Sequence, residues 1–175
     1  MKRIASPFAV MSFALLSAGL MTFAVAAPKP QATTGGQVDF AGFNNLSQEV
    51  YAYRVNRLVN FAQFQKMAHE PNTIILDARS ADAYRQGHID GAINLSLTDF
   101  TAPALAATLK NSNVRILIYC NNNFENNAPP VVLKSVQLAL NIQTFINLYG
   151  YGYKNVYELA DVVNFNDPKV GWVRG

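Results

Sequence analysis

The chain has 175 residues, half of them hydrophobic, and carries 14 lysines and arginines against 11 aspartates and glutamates. Its basic residues are scattered singly, which excludes the clustered positive surface of a nucleic-acid-binding protein. One cysteine rules out an internal disulfide, and two histidines without metal-ligand spacing to it give no basis for a zinc or haem site. Glycine motifs for phosphate or dinucleotide binding are also missing, so we predict no cofactor and no metal.

The amino terminus has the organisation of a bacterial signal peptide. Lys2 and Arg3 precede an uncharged apolar run over about residues 8–25, and Ala24-Val25-Ala26 has the A-x-A form of a cleavage site. We therefore predict that residues 1–26 are removed and that the mature protein is periplasmic or otherwise exported, without membrane association. The alternative is an uncleaved membrane anchor, for which the run is at the short end of the ~20 residues that a spanning helix needs.

Residues 27–45 are predicted to form a flexible tether, because they begin with a run rich in proline, glycine and threonine that lacks hydrophobic periodicity. The remaining residues, 46–175, have the usual size of a single domain and contain no internal repeat. Loss of Lys2 and Arg3 with the signal peptide leaves 12 basic and 11 acidic residues, so the mature protein has a formal net charge of +1.

Helical and strand-like hydrophobic patterns alternate along this domain. Residues 73–76 form a β-branched apolar run typical of a buried parallel strand, and Pro129-Pro130 precedes an apolar stripe at helical spacing. The predicted helices cover about 46–54, 61–69, 81–86, 98–109 with an interruption near Pro103, and 129–149. The predicted strands cover 57–59, 73–76, 92–94, 115–119 and 156–159. This order predicts an α/β fold with a parallel sheet and helices on both faces.

Cys120 follows the clearest predicted strand, at the strand end where ligands collect in open parallel sheets. The next residues, 121–127, have the composition of a loop and lead into a predicted helix. Backbone N–H groups and the helix dipole at such a place favour a thiolate, so we expect the pKa of Cys120 to lie below that of a free thiol. The alternative is an inert cysteine that ends a core strand.

Four blocks of the sequence occur in the order found in a known family. They are Ile75-Leu76-Asp77-Ala78-Arg79, the run over 84–95 that contains Gly87-His88-Ile89-Asp90-Gly91-Ala92-Ile93-Asn94, Ile118-Tyr119-Cys120, and Gly152-Tyr153-Lys154-Asn155-Val156-Tyr157. Over about residues 60–160 the chain thus resembles the rhodanese-like domains. The resemblance implies a rhodanese-like α/β fold and a sulfurtransferase or sulfur carrier in which Cys120 accepts a sulfane sulfur as a persulfide.

The resemblance also implies that the backbone amides of residues 121–127 cradle this persulfide. Substrate binding is therefore assigned to Arg79 and to the loop residues Asn121, Asn122, Asn123, Phe124, Glu125, Asn126 and Asn127. Asp77 and Arg79 form the family's D-x-R pair, which is either a structural ion pair beside the site or a direct substrate contact. His88 is interpreted as a hydrogen-bonded scaffold residue near the site, with a catalytic role as its alternative.

The loop after Cys120 departs from the pattern of active rhodanese-like enzymes, and Ala160-Asp161 replaces the family's glycine pair after the last strand. The loop is longer than usual and contains Glu125 but no glycine and no cation. A carboxylate there would repel an anionic donor, so we expect organic persulfides or polysulfides to load Cys120 faster than thiosulfate. Glu125→Gln is expected to lower the thiol pKa, and Glu125→Lys to raise the thiosulfate rate. Without an arginine to close the loop and clamp phosphate, phosphatase activity is excluded.

Three functions remain open at this point. The first is a sulfurtransferase or sulfur carrier whose partners are a small sulfur-containing donor and a thiol acceptor, with a periplasmic protein as a further candidate partner. The second is a catalytically inactive rhodanese-fold binding module with an incidental Cys120. The third is a redox-sensing thiol that is oxidised to sulfenic acid.

Overall fold

The structure is a computed structural model that describes residues 37–175. The predicted signal peptide and the first part of the predicted tether therefore lie outside the described residues. The helices are α1 (Phe40–Arg54), α2 (Phe61–Ala68), α3 (Ala81–Gln86), α4 (Ala102–Leu109) and α5 (Leu140–Gly150). The strands are β1 (Leu58–Val59), β2 (Thr73–Asp77), β3 (His88–Ile89), β4 (Ala92–Asn94), β5 (Arg115–Tyr119), β6 (Val156–Leu159) and β7 (Trp172–Val173). Within residues 37–175, no helix combines the length and the hydropathy required to cross a bilayer.

Five strands form one parallel sheet in the order β1-β6-β5-β2-β4, which confirms the predicted α/β architecture. Strand β5 is central, with β2 on one side and β6 on the other. All three strands end at the same edge, so the residues that follow them lie close together. A separate antiparallel pair, β3 with β7, brings the carboxyl-terminal segment against His88 and Ile89.

Successive side chains of the central strands point to opposite faces of the sheet, and each face has its own core. The face covered by α1, α4 and α5 buries Leu76, Ile116, Ile118 and Val156. The other face, covered by α2, buries Ile75, Leu117, Tyr119 and Leu159. Helices on both faces explain why strands β2 and β5 read as continuous apolar runs in the sequence.

Helix α1 begins six residues before the predicted start at Leu46, within the segment assigned to the tether. The Asp39 side chain caps it by accepting a hydrogen bond of 2.7 Å from the backbone N–H of Gly42. The first turns of α1 do not bury an apolar face, since Phe40 is 74% exposed and Phe43 is 43% exposed. The sequence there therefore lacks the pattern of a helix that packs on a core. Only Val50 of this helix is fully buried, and Arg54 ends it.

The helix predicted from Pro129-Pro130 to Tyr149 is wrong in its first half, because α5 begins at Leu140. Residues 128–139 instead form a turn at Pro129-Pro130, an irregular stretch over 131–135 and one 3-10 turn over Val136–Leu138. Asparagine side chains of the preceding loop bind the backbone of this segment in place of helical hydrogen bonds: Asn121 with Val132, Asn122 with Lys134 and Asn127 with Leu133. Except for Val131, its large apolar residues are exposed, so the apparent stripe is not a buried face.

The prediction for residues 98–109 is also corrected at its start. Thr101 caps helix α4 by accepting from the backbone N–H of Ala104, and Pro103 lies in the first turn of the helix. Proline is accepted there because the first N–H groups have no intrahelical partner. Pro103 therefore belongs to the beginning of α4 and does not interrupt it.

Candidate functional site

Cys120 directly follows β5 and is only 1% exposed. Its side chain lines a cavity of about 300 Å³ at the carboxyl end of the sheet. The walls of this cavity come from β1, β6 and the residue after it, the end of α1, the loop after β5, the 3-10 segment before α5 and the start of α5. They are formed by Arg54, Leu58, Asn122, Asn123, Val136, Ala139, Asn141, Ile142, Glu158, Leu159 and Ala160.

Backbone amides approach the Cys120 thiol from two segments. Asn122 contributes one from the loop, and Leu140 and Asn141 contribute two from the first turn of α5. The helix amino terminus that the sequence predicts beside the thiol is therefore present, although it belongs to a helix that starts later. The predicted cradle over residues 121–127 is limited, since only the Asn122 amide of this loop is directed at the sulfur, whereas the Asn123 amide donates to the Cys120 carbonyl.

Burial raises the pKa of the Cys120 thiol above its ordinary value, and this is the largest influence on it. The amides of Asn141, Asn122 and Leu140 act in the opposite direction, and the negative charge of Glu158 adds a further increase. The predicted lowering of this pKa is therefore wrong. The amides are present as expected, but desolvation of the thiolate in the closed site outweighs them.

Arg54 and Glu158 form an ion pair in the wall of the cavity. Arg54 binds the Glu158 carboxylate through two nitrogens, with Nη2 at 2.6 Å from Oε1 and Nε on Oε2. The Glu158 side chain is 6% exposed, whereas the Arg54 side chain is 30% exposed. Asn141 Nδ2 donates to Glu158 Oε1 and to Asn123 Oδ1, and Asn123 Oδ1 also accepts from the backbone N–H of Cys120. A continuous polar network thus joins the guanidinium to the backbone of Cys120.

The loop residues assigned to substrate binding separate into two groups. Asn122 and Asn123 line the cavity, and Asn123 also fixes the loop by donating to the backbone carbonyls of Leu159 and Asp161. Asn121, Asn126 and Asn127 do not line it and hold neighbouring backbone segments instead, at Val132, Phe165 and Leu133 respectively. The asparagine-rich composition therefore serves mainly to support an irregular chain path.

Phe124 and Glu125 point away from Cys120. Phe124 is fully buried in the core on the α2 face, with its ring edge-on to Tyr119 and Trp172. Glu125 accepts a hydrogen bond of 2.7 Å from Asn164 Nδ2 at the surface and is not part of the cavity wall. The predicted repulsion of donors by Glu125 is therefore wrong, and Glu158 is the carboxylate near the thiol.

Asp77 and Arg79 form a buried ion pair that does not line the Cys120 cavity. Arg79 Nη2 lies 2.6 Å from Asp77 Oδ2, its Nε lies 2.9 Å from Oδ1, and Nη2 also donates to the Gly87 carbonyl. Tyr119 donates to the same carboxylate. These contacts are those expected of a structural ion pair and not of a direct substrate contact. Arg79 is also separate from the substrate-binding candidates that line the Cys120 cavity.

His88 lies in the small β3–β7 pair and contacts helix α3. Its Nδ1 is 2.9 Å from the Tyr84 carbonyl oxygen, and its ring stacks on the Tyr84 ring. His88 is buried and is not part of the cavity wall. Among residues 37–175, no group of histidine, cysteine, aspartate and glutamate side chains is arranged to hold a metal ion.

The sequence pattern of the Rhodanese-like domain matches residues 60–161, more than half of the chain. The chain belongs to the rhodanese-like domain family. This match includes Cys120 and Glu158 but excludes α1, so Arg54 comes from outside the matched region. No curated protein matches the sequence.

Several solved structures resemble this rhodanese-like chain. A protein from Bacillus halodurans shows 19% identity and a TM-score of 0.46, over 68% of this chain and 77% of that one. A rhodanese from E. coli, solved with anions, shows 22% identity and a TM-score of 0.39, over 59% and 99%. EanB in complex with hercynine shows 21% identity and a TM-score of 0.44, over 64% of this chain and 25% of EanB. Sequence identity and structural similarity this low do not identify a substrate for this chain.

Sequence reasoning missed Arg54 and Glu158, the two charged residues of the cavity. Glu158 carried a signal, because a carboxylate inside the otherwise apolar strand Val156–Leu159 must be paired if it is buried. Arg54 carried none, since an arginine in the last turn of a surface helix is ordinary. Its position in the cavity depends on how α1 packs against α5, which cannot be inferred from the local sequence around Arg54.

Glu158→Gln is expected to lower the pKa of Cys120, because it removes the negative charge that opposes the thiolate and leaves Arg54 positive. The measurement is the rate of iodoacetamide alkylation as a function of pH, and at neutral pH it should rise severalfold. Glu125→Gln is the matched control, since Glu125 lies outside the cavity. An equal change in both variants, or none in Glu158→Gln, would contradict this description of the site.

Proposed function

We propose that this rhodanese-like protein is a sulfurtransferase or sulfur carrier that forms a persulfide on Cys120. The observation that supports this function best is the position of Cys120. The single cysteine of the chain follows the central strand and lines a cavity, and three backbone amides are directed at its thiol. A thiol in an inert core position would have apolar neighbours and no need of such donors.

The proposed reaction has two transfers of one sulfur atom. The Cys120 thiolate attacks the outer sulfur of a donor R–S–SH, the donor S–S bond breaks, and R–S⁻ leaves and takes up a proton. A new S–S bond then joins Cys120 to the sulfane sulfur. In the second transfer an acceptor thiolate attacks this outer sulfur and Cys120 leaves as the thiolate. No net oxidation or reduction occurs across the cycle.

The site suits the charge changes of this reaction. The amides of Asn122, Leu140 and Asn141 stabilise negative charge on the cysteine sulfur when it attacks and again when it leaves. Because burial keeps the thiol pKa high, the resting protein holds a protonated thiol at neutral pH, and each loading event requires removal of that proton. Loading is therefore expected to accelerate as the pH rises toward the thiol pKa.

We expect donors with one negative charge or none to load Cys120 faster than thiosulfate does. Arg54 is the cation of the cavity wall, but Glu158 neutralises most of its charge. The pair therefore offers little to offset the desolvation of a dianion. This expectation agrees with the one from the sequence, although the carboxylate responsible is Glu158 and not Glu125.

Export to the periplasm is also part of the proposal, and it depends on the sequence of residues 1–26. The expected partners there are a small sulfur donor and a thiol acceptor, which includes a thiol on another periplasmic protein. Determination of the mature amino terminus by mass analysis should give a chain that begins at Ala27 or Pro28.

Intact mass of the purified protein before and after exposure to sulfane donors tests the proposal. A gain of one sulfur atom that a thiol reductant reverses is the expected result. A gain of one oxygen atom without sulfur would favour a redox-sensing thiol. An unchanged mass with every donor, including organic persulfides and polysulfides, would favour a binding module and refute sulfur transfer.

A further inference from the structure

A second cavity lies beside the Cys120 cavity, between helices α1 and α5. It has a volume of about 300 Å³ and is lined by Ser47, Val50, Tyr51, Arg54, Ile142 and Ile146. Arg54 and Ile142 belong to the walls of both cavities, so the two are neighbours that share a boundary. We call the second cavity the α1–α5 groove.

We propose that the α1–α5 groove binds the hydrocarbon group of an organic persulfide or thiol that carries one carboxylate, with Arg54 as the residue that recognises the carboxylate. This inference rests on the proposed function, because it assigns the part of the substrate that does not react. The reacting sulfur would lie at Cys120, and the rest of the molecule would extend past Arg54.

The composition of the groove supports an apolar group. Four of its six lining residues, Val50, Tyr51, Ile142 and Ile146, are aliphatic or aromatic. The Cys120 cavity, by contrast, is bounded partly by asparagine side chains and the Arg54–Glu158 pair. Small-molecule sites typically combine mostly apolar walls with a few polar groups that set orientation, in volumes of about 300–1,000 Å³. An inorganic sulfur donor would occupy the first cavity and leave this surface uncovered.

The charge at the boundary supports a single carboxylate. Glu158 occupies Nε and Nη2 of Arg54, so Nη1 is left to meet a ligand, and the side chain is 30% exposed. An anion can therefore approach the guanidinium without displacing Glu158. Because Glu158 already compensates most of the positive charge, the boundary favours one negative charge over two.

Three donors separate the contributions of the groove and of Arg54. Benzyl persulfide carries a hydrocarbon group, para-carboxybenzyl persulfide adds one carboxylate to it, and hydrogen disulfide has neither. For each donor, the rate at which Cys120 gains one sulfur is measured by intact mass. The wild-type protein is expected to load fastest from para-carboxybenzyl persulfide.

Ser47→Trp places a large ring in the groove, because Ser47 lines the groove and is not part of the Cys120 cavity. It is expected to lower the rate with both organic donors at least about tenfold relative to hydrogen disulfide, the size of effect that loss of an apolar contact produces. Gln48→Trp is the matched control, because Gln48 is exposed on the same helix and is not part of either cavity. Equal effects of Ser47→Trp on all three donors, or no effect, would overturn the proposal.

The double variant Arg54→Gln/Glu158→Gln tests recognition of the carboxylate while the cavity wall stays electrically neutral. The preference for para-carboxybenzyl over benzyl persulfide is expected to disappear in this variant. If the preference persists, Arg54 does not recognise the carboxylate and that part of the proposal falls.

A binding measurement separates failure of the groove from failure of the sulfur chemistry. In the Cys120→Ser protein, para-methylbenzoate is expected to shift the NMR signals of Tyr51, Ile142 and Ile146, and the further change Ser47→Trp should remove these shifts. Absence of shifts would refute the groove even if Cys120 forms a persulfide. Shifts in a protein whose Cys120 never gains sulfur would support the groove and refute the proposed function.

Discussion

Cys120→Ser is expected to abolish sulfur transfer, leaving no more thiocyanate from a sulfane donor and cyanide than the uncatalysed reaction gives. Serine can form neither the S–S bond of the loaded protein nor a thiolate at neutral pH. A steady-state assay with an organic persulfide as donor measures the loss. The variant should retain the wild-type fold, because serine is similar in size to cysteine and the amides of Asn122, Leu140 and Asn141 can donate to its hydroxyl.

Far-UV circular dichroism and the melting temperature provide the control for that experiment. A folded Cys120→Ser protein that still transfers sulfur above background would show that Cys120 is not the carrier. We expect the Cys120→Ser protein to be folded and inactive and the wild-type protein to be active. The comparison requires activity of the wild type, which the same assay provides.

Arg79→Met is expected to lower the free energy of unfolding by about 3–5 kcal/mol, the usual cost of breaking a buried ion pair by removing one partner. Arg79 is 3% exposed and Asp77 is fully buried, so the variant leaves the Asp77 carboxylate without its cation and without access to water. The Gly87 carbonyl also loses its donor. Urea unfolding followed by far-UV circular dichroism measures the change, which is a large part of the 5–15 kcal/mol typical of a domain.

The double variant Asp77→Asn/Arg79→Met is the matched control, because neither charge remains buried alone. It should be more stable than Arg79→Met, since breaking a buried pair costs more than replacing both partners. If Arg79→Met unfolds at the wild-type urea concentration but loses donor affinity, Arg79 contacts substrate and the ion pair is not its main role.

The sheet and the position of Cys120 could be predicted from the sequence because both depend on local patterns. Apolar and β-branched residues predominate in Thr73–Asp77 and Arg115–Tyr119, which form β2 and the central strand β5 as expected. A cysteine at the carboxyl end of such a strand lies at the functional edge of a parallel sheet whatever the loop does. The four blocks that resemble the rhodanese-like family overlap strands β2 to β6. The family resemblance and the hydrophobic pattern therefore predict the same fold.

The site around Cys120 could be predicted only in part, because its other walls depend on tertiary packing. The sequence has helical spacing of apolar residues from Val131 to Tyr149, yet Leu138 of this stripe is exposed. The chain before Leu140 is held instead by asparagine side chains. The sign of the pKa shift at Cys120 depends on how completely the site excludes water, which the loop composition does not reveal. Arg54 reaches the cavity through the packing of α1 against α5.

The fate of an isotopically labelled sulfur tests most directly the claim that Cys120 receives a sulfane sulfur and passes it on. The wild-type protein is loaded with a persulfide whose outer sulfur is a heavy isotope, digested to locate the label, and in parallel treated with an acceptor thiol. We predict one labelled sulfur on the peptide that contains Cys120. When acceptor thiol is added, the label lost from this peptide should be recovered in equal amount on the acceptor. Label that reaches the acceptor without appearing on Cys120, or that stays on Cys120 in the presence of acceptor, would contradict this claim.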